Sequence, residues 1–266
     1  MFFLKKFCLN LYFWPAFFLV TLASLVLLPF SLLINTMILQ WPLDKSVRWY
    51  VRYYGFVLIK IVPFFSPVEV EDKSKGINTP VIFVANHCSA TDPYLFGIIP
   101  YDCAFVTTWP FKIPIYNIVM KLAGYIDANK GWDEIYLKAS KLLADGCSLI
   151  IWPEGHRSRT GKLRRFKNGA FYLAYKLKRP IVPICLVNTF NLMPPGSRLL
   201  NPTKVKVVIL PQLLPDENKD EIKAIFELKT KTKKIIEEEL KKQELFFNKK
   251  KITPEFSSQK LYDSFK

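Results

Sequence analysis

The sequence is short of several groups that protein chemistry commonly relies on. Only two of its 266 residues are histidines, His87 and His156. The five cysteines, Cys8, Cys88, Cys103, Cys147 and Cys185, are dispersed, and none falls at a Cys-x-x-Cys or Cys/His zinc spacing. That excludes a structural zinc site and a disulfide framework, and it fits reduced thiols facing the cytoplasm. No metal is expected. Internal repeats and low-complexity linkers are missing too, which excludes a repeat array or domains strung on flexible spacers. Acidic side chains are scarce: 22 Asp and Glu stand against 38 Lys and Arg, a net charge of +16. Yet half of the residues are hydrophobic and mean hydropathy is +0.14, so charge-driven disorder is excluded for most of the chain. A chain both basic and apolar has two natural partners, nucleic acid or an anionic membrane surface.

The distribution of the two properties separates these partners. No charged residue lies between Lys6 and Asp44, a run of 37 positions. A signal peptide has a much shorter apolar core, and one bilayer span needs about 20 residues. As one helix the run would be about 55 Å long. Pro15, Pro29 and Pro42 punctuate it, and basic residues flank both ends: Lys5 and Lys6 before, Lys45, Arg48 and Arg52 after. Excess positive charge on both flanks places both ends on the cytoplasmic side. The expectation is a hairpin or re-entrant anchor broken near Pro29, in preference to a single span, in the inner (cytoplasmic) membrane. Residues 47–67 interleave Arg48, Arg52 and Lys60 with aromatics, the pattern of an amphipathic interfacial helix. The same interleaving can bind single-stranded nucleic acid, but beside a hydrophobic anchor the membrane reading prevails, and nucleic acid is not an expected partner. Residues 216–266 hold 13 basic and 11 acidic side chains, so the excess lies in the anchor flanks and the central body.

The body reads as one α/β domain. Residues 80–85, 103–106, 148–152, 181–187 and 204–210 are short apolar, β-rich runs. Residues 132–145 and 168–177 between them have helical spacing, and 220–240 form a further amphipathic helix. Near-continuous apolar strands separated by helices imply a mixed central sheet covered by helices on both faces. The expected organisation is an anchor over 1–66, a catalytic domain over 67–245 and a basic mobile tail over 246–266.

Each histidine ends an apolar strand, the edge where open α/β sheets place ligands. His87 lies in Asn86-His87-Cys88-Ser89-Ala90-Thr91-Asp92, and Asp92 precedes Pro93 in a sequence that also suits a helix start. Five residues on a helix are about 140° out of phase, so contact between His87 and Asp92 requires a turn. The second segment, Trp152-Pro153-Glu154-Gly155-His156-Arg157-Ser158, opens a run that continues through Arg159, Lys162, Arg164, Arg165 and Lys167. Glycine permits close backbone approach, and arginine can fork two hydrogen bonds to a phosphate.

Asn-His-x4-Asp at 86–92, followed some 60 residues later by Pro-Glu-Gly-x-Arg-Ser at 153–158, resembles the glycerophospholipid acyltransferase superfamily, nearest to its lysophospholipid (1-acylglycerol-3-phosphate) members. Two weaker blocks occur in the same order: residues 124–130 (GYIDANK) and the apolar run around Pro183. His156 stands where the family usually has Thr, and Lys130 or Asn129 where it usually has Arg. An ammonium cannot reproduce a guanidinium's bidentate grip, which leaves room for an acceptor other than plain glycerol phosphate, such as a lyso-aminolipid or glycolipid. The resemblance implies acyl transfer from a thioester of coenzyme A or acyl carrier protein to a lysolipid hydroxyl, with no cofactor. It implies His87 as general base oriented by Asp92. Glu154, Gly155, Arg157 and Ser158 are then expected to bind the acceptor, with Lys130 contributing and Asn86, Pro153 and Pro183 supporting. A covalent route through Cys88 or Ser89, and a non-catalytic lipid-binding protein on the same fold, are the rival expectations.

Overall fold

The computed structural model describes residues 2–61 and 66–252. The uncharged run forms one helix, α1 (Phe2–Met37), not the expected hairpin. Pro15 and Pro29 lie inside it. A proline removes one hydrogen bond of the helical ladder, and a helix of 36 residues, about 54 Å long, absorbs that loss. The hydroxyls of Thr21 and Thr36 bond back to the carbonyls of Phe17 and Leu32, four residues earlier. The chain turns at Gln40, whose φ of 52° lies in the left-handed region. It re-enters as α2 (Leu43–Phe56) and ends in one wide turn at Val57–Ile61. The amphipathic helix therefore begins and ends earlier than the expected 47–67.

Hydrogen bonds between Thr21 and Tyr54 (2.7 Å) and from Tyr50 to the Ser24 carbonyl (2.5 Å) lay α2 antiparallel against α1. Arg48 of α2 is almost fully buried. Its guanidinium grips both oxygens of Asp102 at 2.7 and 2.9 Å, and it reaches Asp44 at 2.7 Å and the Ala123 carbonyl at 3.1 Å. A charge taken out of water survives only when every donor is matched, and this cluster clamps α2 to the domain.

Seven strands form one sheet in the order β1-β7-β6-β2-β5-β3-β4. They are β1 (Val68–Asp72), β2 (Ile82–Ala85), β3 (Cys103–Thr107), β4 (Ile126–Asp127), β5 (Ser148–Ile151), β6 (Ile181–Val187) and β7 (Val205–Ile209). All pairings are parallel except β6 with β7. The period-two alternation of strands divides the apolar side chains between two cores. Ile82, Val84, Leu149, Ile151 and Val208 face a cluster completed by α5 (Trp132–Ala144), α6 (Gly169–Lys176) and α8 (Glu221–Ile252). Phe83, Ala85, Ile150, Val182 and Val207 face the other cluster, which includes Leu95 of α3 (Asp92–Leu95), Leu192 of α7 (Thr189–Leu192), and Leu9 and Phe13 of α1. The anchor helix is thus also a core element. Asn10 makes this explicit: its side-chain amide accepts from the Leu200 N–H and donates to the Leu200 carbonyl, both at 2.8 Å.

Three elements have no counterpart in the sequence reading: β1, α4 (Pro114–Leu122) and α7. The first is an edge strand of alternating acids and valines. β4 lies inside the block at 124–130, where the family resemblance implies a strand, and is only two residues long. The last helix outruns its expected end and continues to Ile252, so the first part of the expected tail is helical. The remainder, 253–266, lies outside the described residues.

Candidate active site

The carboxyl ends of β2, β5, β3, β4 and β6 point the same way, so the residues that follow them share one edge. Immediately past β2, Asn86 extends the ladder with its side chain. Its amide bonds the Leu186 carbonyl at 2.9 Å and accepts from the Leu186 N–H at 2.8 Å, imitating a peptide unit. The strand direction is thereby carried to His87. Pro183 sits opposite Val84 in the β2–β6 register and is buried in the sheet beneath this point.

His87 Nδ1 lies 2.7 Å from Asp92 Oδ2. The same carboxylate oxygen accepts the backbone N–H groups of Cys88 (2.8 Å) and Ser89 (2.9 Å), which curls 87–91 into a turn and brings the fifth residue back to the imidazole. Asp92 is fully buried at the start of α3, with Pro93 following it. Bonding through Nδ1 sends Nε2 to the far side of the ring. One ring face is covered by Trp152, stacked at 4.7 Å between centroids and 24° between planes. Phe105 stacks on the same indole at 5.5 Å. The last residue before Pro153 was not singled out in the sequence, where an aromatic ending a buried strand reads as ordinary core.

The second motif is placed differently from expectation at two positions. Glu154 is 3% exposed, and its two oxygens accept the backbone N–H groups of His87 (2.8 Å) and Arg164 (2.9 Å). Burial lifts its carboxyl above the usual carboxylate range, against the lowering effect of those donors. Ser158 is fully buried, donates its N–H to the His87 carbonyl at 2.7 Å and its hydroxyl to the Lys162 carbonyl at 2.7 Å. Both therefore brace the histidine loop and the basic loop through backbone partners. The physical reason is burial, which turns each polar group inward to satisfy backbone donors and acceptors.

Pro153 is buried and takes the Lys167 N–H at 2.8 Å. Gly155 adopts φ 76°, a left-handed backbone that favours glycine, while an added Cβ would displace only the flexible end of Lys167, 2.9 Å away. Arg157 is exposed and has no side-chain partner among the described residues; Arg159, Lys162 and Arg165 likewise have no acidic partner there. His156 is exposed beside them. Lys130 follows β4, three strands from β2, about 14 Å along the edge at the usual strand spacing. It shares the edge but stands apart from His87.

The candidate nucleophiles are closed off. Cys88 is 4% exposed and its thiol is pushed up to about 12 by burial and by Asp92 and Glu154. The Ser89 hydroxyl is buried between Thr91 (2.9 Å) and the Met193 carbonyl (2.9 Å). No group of three or more His, Cys, Asp and Glu side chains suited to a metal occurs among the described residues.

Fold and site together define an α/β domain with an apolar N-terminal helix, an aspartate-held histidine at the carboxyl edge of its sheet, and a basic loop beside it. Residues 67–187 match the family model described as Acyltransferase. A chloroplastic 1-acyl-sn-glycerol-3-phosphate acyltransferase of Brassica napus is 32% identical over 174 residues, covering 61% of this chain and 51% of that protein. Its counterpart in Chlamydomonas reinhardtii is 37% identical over 149 residues, covering 54% and 45%. The chain spans about half the length of these curated relatives. The crystal structure of the 1-acyl-sn-glycerophosphate acyltransferase from Thermotoga maritima superposes with a TM-score of 0.73 at 23% identity, covering 92% of this chain and 98% of that one, and shares the fold. Residues 67–187 are thus similar to the acyltransferase family, and the relatives named here are 1-acyl-sn-glycerol-3-phosphate acyltransferases.

Proposed function

We propose that this protein is a membrane-bound O-acyltransferase that moves a fatty acyl group from a thioester to the free hydroxyl of 1-acylglycerol 3-phosphate. The observation that carries this reading is the His87–Asp92 pair, its Nε2 turned away from the carboxylate, beside a basic loop whose arginines lack acidic partners. The relatives' names point to the same acceptor.

In this mechanism the acceptor hydroxyl gives its proton to His87 Nε2 while its oxygen attacks the thioester carbon. Asp92 holds the reactive tautomer and offsets the positive charge that develops on the ring. The tetrahedral adduct collapses, the carbon–sulfur bond breaks, and the proton passes from Nε2 to the departing thiolate. The ester and the free thiol are the products, so protons and charge balance without a cofactor. Arg157 grips the acceptor phosphate, with Lys167 and the more distant Lys130 adding positive potential. The donor is a thioester of coenzyme A or acyl carrier protein. Anionic lipids hold the basic surface to the cytoplasmic face of the membrane.

The test is transfer of labelled acyl groups from both thioesters to a panel of acceptors by the purified protein in lipid nanodiscs. Lysophosphatidate is expected to be acylated in preference to a lyso-aminolipid. His87→Ala is expected to lose about 10²- to 10⁴-fold in kcat, the contribution typical of a positioned general base. Arg157→Ala is expected to raise KM for lysophosphatidate more than for uncharged monoacylglycerol. Undiminished transfer by His87→Ala would overturn the mechanism, and no product from any acceptor would favour a lipid-binding protein.

A further inference from the structure

Helix α4 was not visible in the sequence, and its outer face combines exposed apolar side chains with a complete lack of acidic residues. Ile115 and Ile118 are 59% and 60% exposed, and Leu122, one turn further on, is also exposed. These positions, at i, i+3 and i+7, form one stripe. Trp109, at 68%, stands in the turn that leads into the helix. The only charged residues from 109 to 122 are Lys112 and Lys121, one near each end. An apolar stripe flanked by lysines, with an exposed tryptophan at its rim and no acid, is the composition of a helix lying in a membrane interface.

We propose that this face of α4 seats the catalytic domain on the lipid bilayer, as a contact additional to helix α1. Two observations favour lipid over a second copy of the chain. The face carries positive charge only, matched to anionic headgroups and opposed to an equally basic copy of itself. It is also continuous with the anchor: Val119 of α4 and Val51 of α2 pack on one core cluster, and Tyr94, which interacts electrostatically with Tyr116 of α4, packs its ring against Phe17 of α1 and Tyr54 of α2. Tyr94 lies two residues after Asp92, and Trp109 follows β3 at the same sheet edge as His87. A bilayer seated on this face would therefore meet the domain beside the site where a lysolipid must arrive. That last step rests on the proposed function; the contact itself does not.

The experiment places an environment-sensitive fluorophore at Ile118→Cys in the full chain, with Cys8→Ser to remove the exposed thiol and His87→Ala so that no lipid is consumed. A second protein carries the label at Leu137→Cys, an exposed position on α5. On vesicles of phosphatidylcholine and phosphatidylglycerol, the α4 label is expected to shift to the blue and to be quenched by nitroxide-bearing lipids, while the α5 label stays aqueous. An α4 label that remains aqueous on membrane-bound protein overturns the proposal. So does a blue shift without vesicles that grows with protein concentration, which would make the face a contact between copies. In otherwise native enzyme, Ile115→Glu with Ile118→Glu is expected to raise KM several-fold for long-chain lysolipid in vesicles and to leave turnover of a short-chain soluble acceptor unchanged. If the label reports lipid while no lysolipid is acylated by the native enzyme, the functional reading fails and the surface stands.

Discussion

At the scale of the residue, the basic nitrogen of His87 is prepared by two neighbours of different kinds. Asp92 fixes the ring through Nδ1, and Trp152 covers its face. An indole face attracts a cation within about 6 Å, worth roughly 1 kcal/mol, or about fivefold in rate. Trp152→Leu is therefore expected to lower kcat about fivefold with little change in KM, and Trp152→Phe to recover most of it, as steady-state kinetics will show. Glu154 carries a pH dependence. Its carboxyl is lifted in the folded protein, so the folded state holds the proton more tightly than the unfolded chain. The stabilisation from that proton is complete below the ordinary value of 4.5 and is lost as pH rises through the lifted one. Glu154→Gln also presents an amide N–H₂ to a backbone donor, so it is less stable than the native protein. The gap is expected to narrow from pH 4 to pH 7 in denaturant titrations. The contact between His87 and Asp92 was legible in the Asn-His-x4-Asp motif that carries the family resemblance. The roles of Glu154 and Ser158 were not, because a carboxylate and a hydroxyl beside arginines look like ligand groups until burial shows them bonded to the backbone.

At the scale of the element, β2, β5, β6 and β7 were legible because they are buried on both faces and their runs are continuously apolar, and β3, only partly buried, was legible from its short apolar run. The edge strand β1, with two exposed acids, carries no such signal, and β4 is too short for any periodicity. The uncharged run was legible as an anchor, but its prolines overstated the break: the helix keeps its course through both and turns only at Gln40. What α2 contributes was hidden as well. Arg48 looked like a headgroup-facing cation of an interfacial helix, yet it points inward to Asp102 and the Ala123 carbonyl. Removing one partner of a buried ion pair typically costs about 3–5 kcal/mol, because the other charge stays buried and uncompensated. Arg48→Met is expected to lower the melting temperature sharply. Arg48→Met combined with Asp102→Leu is expected to recover a large part of that loss, measured by thermal unfolding in detergent. A double variant no more stable than the single one would show that the clamp acts through something other than paired burial.

At the scale of the whole molecule, the contrast between basic charge and apolar composition becomes a division of surfaces. The apolar run is not a tether with a soluble domain beyond it. Its first half closes one of the two cores, with Leu9 and Phe13 buried and Asn10 bonded to both polar groups of the Leu200 peptide backbone. Its outer side keeps Phe3, Phe7, Leu11, Phe18 and Leu22 exposed. The same helix thus serves the fold on one side and presents an apolar surface on the other. The basic loop and His87 lie at the sheet edge that α1 approaches through the segment around Leu200. A truncation that begins at residue 41 tests this directly. Cutting away a simple anchor would release a soluble monomer with an unchanged melting temperature. Cutting away this helix uncovers the apolar cluster around Phe83, Leu95 and Leu200 and leaves the Leu200 N–H and carbonyl without their partner. The truncated chain is expected to elute as aggregate in size-exclusion chromatography. Asn10→Leu in the full chain, which keeps the apolar bulk and removes the two hydrogen bonds to Leu200 together with one to the Lys6 carbonyl, is expected to remain monomeric in detergent but to unfold at lower temperature. Each lost hydrogen bond to Leu200 leaves a buried backbone group unsatisfied, at about 1–3 kcal/mol. A soluble, fully stable truncation would return α1 to the role of a detachable anchor.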